Sequence, residues 1–473
     1  MKKIIFAVTL LAVSLISLDA KDIRGSVKTD DGKALSGVVV SDGLNTVVTD
    51  KKGKFVLDAD DDSRFVFIST PAGYKSATLP GNCPERLFYR EIGDGANYDF
   101  IVERKKKDDT KHNLIVIADP QLSGRDELPE LAENAKSITS YIEGWDGDDT
   151  FGLVLGDIVG WDHSIYPEYN EIMSKTGIDY RYVMGNHDMT NYVSCHEESL
   201  QKYQDTYGPA WYSFNAGKVH YMVIDDNFFI GRDWYYIGYV DARQLEWMRN
   251  DLAHVEKGST VILSMHIPTT LSEDDRKAFS YNMISELVSN KKALYALLEP
   301  YNALILSGHM HYNNNQVIND HLMELNVSSL GGAWYSGPVC IDGSPAGFKA
   351  VEIDGTDISW TYIGCGYPAD YQMKVYDAPE GYEGYVIANI WDYDPAWKVE
   401  YFEDGKKVCE MERFKGYDPL ARKLYNGSAD LKQKWVYASE TQNLFKAKKS
   451  PDARSRQVKV TDRFGRVYFS TVD

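Results

Sequence analysis

Five short apolar runs, each followed by polar side chains, constrain this chain more than any other feature. A short apolar run bounded by turn residues is typical of a buried β-strand. The runs are Leu114–Ala118, Phe151–Leu155, Tyr180–Met184, Val261–Leu263 and Ala303–Leu306. Stretches with a helical pattern alternate with them, at Leu128–Tyr141, Leu245–Val255 and Ile284–Leu298. The alternation predicts a central α/β domain.

The polar residues that follow these runs are types that bind metals. In layered α/β folds, ligands bind at the carboxyl ends of strands, so we expect the five strands to deliver their side chains to one edge. The candidate ligands are Asp119, Gln121, Asp157, Asn186, His266, His309 and His311. Oxygen ligands mixed with imidazole suit Mn, Fe, Zn or Mg, so the sequence predicts a divalent-metal site.

The order of these motifs resembles the calcineurin-like metallophosphoesterase family. The motifs are Asp119-Pro120-Gln121, Gly156-Asp157, Gly185-Asn186-His187-Asp188, His266 and Gly308-His309-Met310-His311. The resemblance covers about Asn113 to Thr356 and departs at Gln121, where most members have His. It implies a two-sheet β-sandwich flanked by helices over residues 111–358, holding two divalent metal ions.

The resemblance also implies a role for each position. The first metal would take Asp119 and His311, and Asp157 would bridge both metals. The second metal would take Asn186, His266 and His309. Gln121 is either a weak ligand of the first metal or a hydrogen-bond donor beside it, and we count it among the ligands because an amide oxygen binds hard cations.

The implied reaction is hydrolysis of a phosphoester. Two neighbouring metals share a hydroxide and lower its pKa, and that hydroxide attacks phosphorus in line. His187 would donate a proton to the leaving oxygen or stabilise its negative charge, and Asp188 would hold the His187 ring in the required tautomer. Glycines at 156, 185 and 308 would let the backbone turn tightly beside the metals.

Candidate substrate-binding residues stand next to the metal motifs. They are Trp161, His163, Tyr312 and Asn313, with Trp334 and Tyr335 in a Gly-rich loop. They can stack a base or a sugar, although surface or interdomain packing explains them equally well. The substrate would be a small phosphate ester, and phosphodiesterase and phosphomonoesterase activities both stay open. The alternative from another class is a non-catalytic extracellular binding or scaffold protein with a relic metal site.

The flanks carry a strand-and-turn pattern. Residues 21–104 predict a β-sandwich that resembles the carboxypeptidase-regulatory-like module, and the charged stretch Glu103–Lys111 predicts a linker. Residues 366–473 predict a β-rich domain, similar to that of a multidomain bacterial branch of the family. We find no candidate ligand in the first flank. We therefore expect a chain that starts near Thr110 to keep its metals, provided that it folds.

Residues 1–20 have the pattern of a secretory signal peptide, which predicts export to the periplasm or the exterior. No later apolar run is long enough for a membrane helix. The net charge of -19, from 51 basic and 70 acidic residues, argues against nucleic-acid binding. The 5 cysteines are widely spaced, and only Cys340 and Cys365 suggest a disulfide to test. The oligomeric state stays open.

Overall fold

The computed structural model describes residues 21–76, 88–93, 97–145, 149–231, 235–277, 283–426 and 430–472. The predicted signal peptide and Cys83 lie outside these ranges. The predicted fold class is confirmed: a central α/β sandwich lies between two β-rich domains. Within the described ranges, no helix has the length and apolar character needed to cross a membrane.

The N-terminal domain packs two four-stranded sheets face to face. Its strands are β1 (Lys21–Thr29), β2 (Val39–Ser41), β3 (Thr46–Val48), β4 (Lys54–Ala59), β5 (Phe65–Ile68), β6 (Tyr74–Ser76), β7 (Tyr89–Glu91) and β8 (Tyr98–Arg104). The sheet orders are β4-β1-β8-β6 and β3-β2-β5-β7. Alternate side chains of β4 are buried and exposed, as expected for a strand with one face on a core.

The central domain holds a five-stranded and a six-stranded sheet. Its strands are β9 (Lys111–Ile117), β10 (Asp149–Val154), β11 (Asp179–Tyr182), β12 (Tyr212–Ala216), β13 (Val219–Val223), β14 (Asn227–Phe229), β15 (Tyr236–Gly238), β16 (Thr260–Ser264), β17 (Asn302–Ser307), β18 (Asn314–Asn319), β19 (Leu322–Asn326), β20 (Gly347–Asp354) and β21 (Asp357–Gly364). The sheet orders are β11-β10-β9-β20-β21 and β12-β13-β16-β17-β19-β18, and β14 pairs with β15 as a separate hairpin. Strands β9, β10 and β11 are parallel, as are β13, β16, β17 and β19, so their carboxyl ends share an edge.

Helices connect these strands. They are α1 (Leu128–Ile142), α2 (Tyr166–Ser174), α3 (His196–Ser199), α4 (Gln201–Tyr207), α5 (Ala242–Leu252), α6 (Glu273–Lys277) and α7 (Lys291–Leu298). Helix α5 begins earlier than predicted, because the Asp241 side chain caps it by accepting the Gln244 N–H at 2.8 Å.

The predicted helix over 284–298 is wrong in its first half. Only Lys291–Leu298 forms α7, because the preceding residues close a single turn on the Met283 carbonyl and then bond to the end of β15. The Gly238 N–H donates to the Ile284 carbonyl at 2.8 Å, and the Ser289 N–H donates to the Gly238 carbonyl at 2.7 Å. The predicted linker is also shorter, since Glu103 belongs to β8 and Lys111 begins β9.

The C-terminal domain again consists of two four-stranded sheets. Its elements are β22 (Met373–Asp377), β23 (Tyr385–Ile390), β24 (Lys398–Glu403), β25 (Lys406–Glu410), β26 (Glu412–Tyr417), α8 (Pro419–Tyr425), β27 (Glu440–Lys448), β28 (Arg456–Thr461) and β29 (Val467–Thr471). The sheet orders are β22-β23-β27-β26 and β25-β24-β28-β29. The described cysteines Cys195, Cys340, Cys365 and Cys409 are free thiols, so the Cys340–Cys365 disulfide is absent.

Both flanking domains pack tightly on the central sandwich. The N-terminal domain and the six-stranded sheet share one apolar core, in which the Phe67 and Trp247 rings meet edge to face at 6.3 Å. At the other seam, Lys349 of β20 pairs with Asp392 at 2.5 Å, and both side chains are fully buried.

Candidate metal centre

The predicted ligands lie just beyond the carboxyl ends of β9, β10, β11, β16 and β17. Five of them have left-handed backbone conformations, which non-glycine residues seldom adopt. The φ angles are 49° at Asp119, 39° at Gln121, 51° at Asp157, 71° at His309 and 55° at His311. Such strain clusters at functional sites, where the surrounding structure holds it in place.

Two glycines make this close approach of the strands possible. A Cβ at Gly156 would lie 2.7 Å from the Gly185 Cα, and a Cβ at Gly185 would lie 2.0 Å from the Asp157 nitrogen. Neither contact can be relieved by a side-chain rotation, because both neighbours are backbone atoms. The loops after β10 and β11 therefore meet only because both positions are glycine.

One group of predicted ligands surrounds His266. Ligand atoms of Asp157, His266 and His309 all lie within 4.8 Å of one another. The Asn186 Oδ1 is 3.0 Å from the His266 Nε2, and the His309 Nδ1 is 3.2 Å from the same nitrogen. These distances bring together two imidazoles, a carboxylate and an amide oxygen, a donor set that suits a divalent cation.

A second group lies around Asp119. The His311 Nε2 is 3.5 Å from the Asp119 Oδ1. The Asp119 Oδ1 and the Gln121 Oε1 are both buried, and neither has a hydrogen-bond partner among the described residues. Buried acceptors without a donor are costly unless a cation compensates them. The chemistry of this group therefore also fits a bound cation.

The protonation of the imidazoles follows from burial and from the Asp157 carboxylate. Burial opposes protonation of His266, but the nearby Asp157 carboxylate outweighs it and raises the pKa of His266 to about 10. Burial disfavours the charged form of Asp157 as well, but the His266 charge lowers its pKa below the usual range. Burial lowers the pKa of both His309 and His311 to about 3, so both rings are neutral at neutral pH.

Asp188 does not hold the His187 ring, so this part of the predicted site is wrong. Its carboxylate accepts the Gly185 N–H at 2.9 Å, the Ile158 N–H at 3.2 Å and the Tyr166 hydroxyl at 2.9 Å. Burial raises the pKa of Asp188 to about 7. The His187 Nδ1 is buried and has no partner in the described ranges. Asp188 instead fixes the turn that carries the Asn186 amide.

Two of the predicted substrate residues lie at the turn that carries His187 and Asp188, and the other two lie at the seam with the C-terminal domain. The Trp161 ring lies 4.2 Å from the His187 ring, at the edge of the site. His163 donates from Nε2 to the Asp188 carbonyl at 3.0 Å, so it supports the same turn. Asn313 is buried, and its Oδ1 accepts the Ser328 N–H at 3.1 Å.

Tyr312 packs on the apolar cluster that joins the central and C-terminal domains. Asn313 faces the same seam, where its carbonyl accepts the Asn443 Nδ2–H at 3.0 Å. Of the four predicted substrate residues, Trp161 is the one whose ring touches the candidate site, and Tyr312 and Asn313 serve interdomain packing.

Sequence analysis missed two residues whose side chains form hydrogen bonds with the backbone of the ligand loops. The Asp226 carboxylate accepts the His266 N–H at 3.1 Å and the Ile267 N–H at 2.9 Å. The Asn227 Nδ2 donates to the Met184 carbonyl at 2.8 Å, at the end of β11. Both residues follow the buried strand β13, which is the same signal that identified the ligands. Both positions lie outside the motifs that carry the family resemblance, so those motifs do not identify them.

Three family models match consecutive parts of the chain, and all three describe the same family. The family model for calcineurin-like phosphoesterases matches residues 112–313. The model for the N terminal of calcineurin-like phosphoesterases matches residues 21–105, and the model for the C terminal matches residues 324–468. The last span begins in β19, so it includes strands of the central sheets. No curated protein matches.

Three solved structures resemble parts of the chain. A dimetal phosphatase from Danio rerio has a TM-score of 0.40 and 14% identity, over 54% of this chain and 96% of that one. A purple acid phosphatase from yellow lupin seeds (Lupinus luteus) has a TM-score of 0.40 and 12% identity, over 70% of this chain and 67% of that one. A 5'-nucleotidase from Candida albicans has a TM-score of 0.34 and 13% identity, over 55% and 53% respectively.

The three family models follow one another along the chain and together span most of it. The predicted phosphoesterase motifs fall inside these spans, and the residues that carry them meet at one edge of two sheets. The chain belongs to the calcineurin-like phosphoesterase family, and it is a metal-dependent hydrolase.

Proposed function

We propose that the chain hydrolyses phosphoesters with two divalent cations held at this edge. The observation that carries the proposal is the orientation of Asp157. Its Oδ1 lies 3.4 Å from the His266 Nε2, whereas its Oδ2 accepts the Gln121 Nε2–H at 3.3 Å. One carboxylate thus faces both ligand groups, as a residue that bridges two cations must.

Each ligand group contains residue types that bind divalent cations. Asp119, Gln121 and His311 would hold the first, and Asn186, His266 and His309 would hold the second. When bound, the two cations supply Lewis acidity and lower the pKa of the attacking water. The carboxylates of Asp119 and Asp157 then offset part of the positive charge of the cations. The amide and imidazole ligands are neutral, so the remaining positive charge attracts a phosphate.

His187 is proposed to donate a hydrogen bond to the leaving oxygen. Its backbone N–H is fixed on the Asp157 Oδ1 at 2.8 Å, and its Nε2 lies 4.0 Å from the Asp157 Oδ2. Burial lowers the pKa of His187, so the neutral ring donates from one nitrogen. The Trp161 ring packs on this ring. The substrate is proposed to be a small phosphate ester, and export remains a prediction from residues 1–20.

Metal-dependent turnover tests the proposal directly. The chain is stripped with a chelator and then assayed with Mn on p-nitrophenyl phosphate, a monoester, and on bis-p-nitrophenyl phosphate, a diester. We expect chelation to abolish hydrolysis, Mn to restore it, and the better substrate to identify the ester class. Asp157→Asn should lower kcat by about 100-fold or more, because a charge shared by both cations is lost. Asp58→Asn, an exposed carboxylate of the N-terminal domain, is the matched control. Mn binding without turnover of either ester would favour the binding-protein alternative.

A further inference from the structure

A segment of the C-terminal domain, residues 430–439, lies across the loop that follows β19. Lys432 pairs with Glu127 at 2.5 Å, and the Gln433 N–H donates to the Ser336 hydroxyl at 3.0 Å. The side chains of Leu431, Val436 and Ala438 are buried in the cluster between the two domains. The segment is therefore anchored firmly to the central domain beside the metal centre.

The Trp435 and Tyr437 side chains, on either side of the buried Val436, point towards solvent. Val436 is 1% exposed, whereas its neighbours Trp435 and Tyr437 are 55% and 62% exposed. A half-exposed indole offers a large apolar area to a ligand. The buried residues of the segment join the two domains, and Trp435 contacts this seam through its ring contact with Trp334.

Trp435 is connected to the metal centre through a chain of rings. The Trp334 ring stacks on His311, with centroids 3.9 Å apart and planes 19° apart. The Trp435 ring meets Trp334 at 4.6 Å and 70°. The rings thus run outward from a predicted ligand to the protein surface.

The backbone that presents Trp334 is strained. Trp334 and Tyr335 have φ angles of 50° and 54°, in the left-handed region. The Tyr335 hydroxyl donates to the Pro120 carbonyl at 2.7 Å, between the predicted ligands Asp119 and Gln121. A strained turn tied to the ligand loop indicates that the position of Trp334 serves the site and does not merely fill the seam.

We propose that Trp334 and Trp435 form an aromatic platform that takes a planar group esterified to the substrate's phosphate. The substrate class is then a phosphoester of an aryl or heterocyclic group, and not of a simple aliphatic alcohol. The platform rests on the proposed function, because it lies on the His311 side of the site where the phosphate would bind. It also gives the C-terminal domain a role in specificity.

The binding test uses inhibitors that are not turned over. Phenylphosphonate and methylphosphonate carry the same charge and differ in the ring, and their affinities are measured by calorimetry with the Mn-loaded full chain. We expect phenylphosphonate to bind more tightly. Trp435→Ala should lower the affinity for phenylphosphonate by about 2- to 10-fold, as expected for the loss of one aromatic contact. The affinity for methylphosphonate should not change. Trp435→Phe should restore most of the loss, and Tyr437→Ala is the exposed control from the same segment.

The turnover test compares p-nitrophenyl phosphate with glycerol 2-phosphate. Trp435→Ala should raise KM for the aryl ester alone, with kcat and metal content unchanged. Equal affinity of the two phosphonates in the unaltered chain would overturn the platform, as would an equal loss for both in Trp435→Ala. If no ester is hydrolysed but phenylphosphonate binding depends on Trp435, the proposed function fails and the platform stands.

Discussion

Gln121 donates from Nε2 to the Asp157 Oδ2 at 3.3 Å, while its buried Oε1 has no partner in the part of the chain that the structure describes. The amide N–H therefore points at the Asp157 carboxylate, which faces both ligand groups. The amide oxygen is left to bind a cation. This orientation favours Gln121 as a ligand over Gln121 as a hydrogen-bond donor alone. An amide oxygen is neutral and harder than imidazole, so the group around Asp119 should prefer Mn or Mg to Zn.

Substitution of Gln121 should change both the affinity and the metal preference of this group. Gln121→Ala should leave the chain with less bound metal than the unaltered protein, because one ligand is lost. Gln121→His should shift preference towards Zn, since it supplies an imidazole nitrogen. Calorimetric titration of both variants with Mn and Zn measures this, and a crystal structure reads the occupancy. Gln121 is not a ligand if it lies beyond about 3 Å from any metal, because direct bonds run near 2.0–2.2 Å.

Asp226 should set the position of His266 without touching a cation. Its two oxygens each accept one backbone N–H at the turn that carries His266, and an amide has only one such oxygen. Asp226→Asn should therefore weaken Mn binding by about 10- to 100-fold, as is typical for residues that orient metal ligands. Calorimetry with Mn, beside a melting curve, is the measurement.

Asp241→Asn provides the matched control for Asp226→Asn. Asp241 caps α5, and asparagine caps helices equally well, so metal affinity should not change. A variant of Asp226 that melts at a lower temperature but binds Mn normally would show that the residue only stabilises the fold.

Sequence patterns predicted the strand ends and the meeting of candidate ligands at one edge, but not the contacts behind them. Each predicted ligand follows an apolar run, and that signal depends only on local order along the chain. The Asp188 interaction could not be predicted, because whether it bonds to the His187 ring or to the Gly185 turn depends on the side-chain rotamer. Trp435 was missed for a different reason: it lies 124 positions beyond His311, and only the docking of the C-terminal domain brings the two near each other.

The N-terminal domain should be needed for folding, so a chain starting near Thr110 should not meet the condition, that it folds, under which it was expected to keep its metals. Its apolar residues form one core with the six-stranded sheet, and its removal would expose the face of Trp247 that meets Phe67. A chain lacking residues 1–109 should aggregate or lose cooperative melting, whereas removal of residues 1–20 alone should not.

A point substitution separates this loss of core from truncation effects. Phe67→Ala should destabilise the whole chain by about 3–5 kcal/mol in a single unfolding transition, because the two domains share the core. Val56→Ala, at an exposed position of the same domain, should change stability little. Two separate transitions, with only the first shifted by Phe67→Ala, would contradict the shared core.

The buried pair of Lys349 and Asp392 should dominate the stability of the C-terminal seam. The two groups are 2.5 Å apart, and Asp392 also accepts the Tyr362 N–H at 3.1 Å. Lys349→Met would leave the Asp392 charge buried without its partner, which typically costs about 3–5 kcal/mol. Lys111→Met breaks an exposed pair with Asp354, which lies on the same strand as Lys349, and should cost less than about 1 kcal/mol. Urea unfolding of both variants gives the comparison, and adding Asp392→Asn to Lys349→Met should recover part of the loss by removing the unpaired charge. Equal, small effects of the two lysine substitutions would mean that water reaches the seam and solvates Asp392.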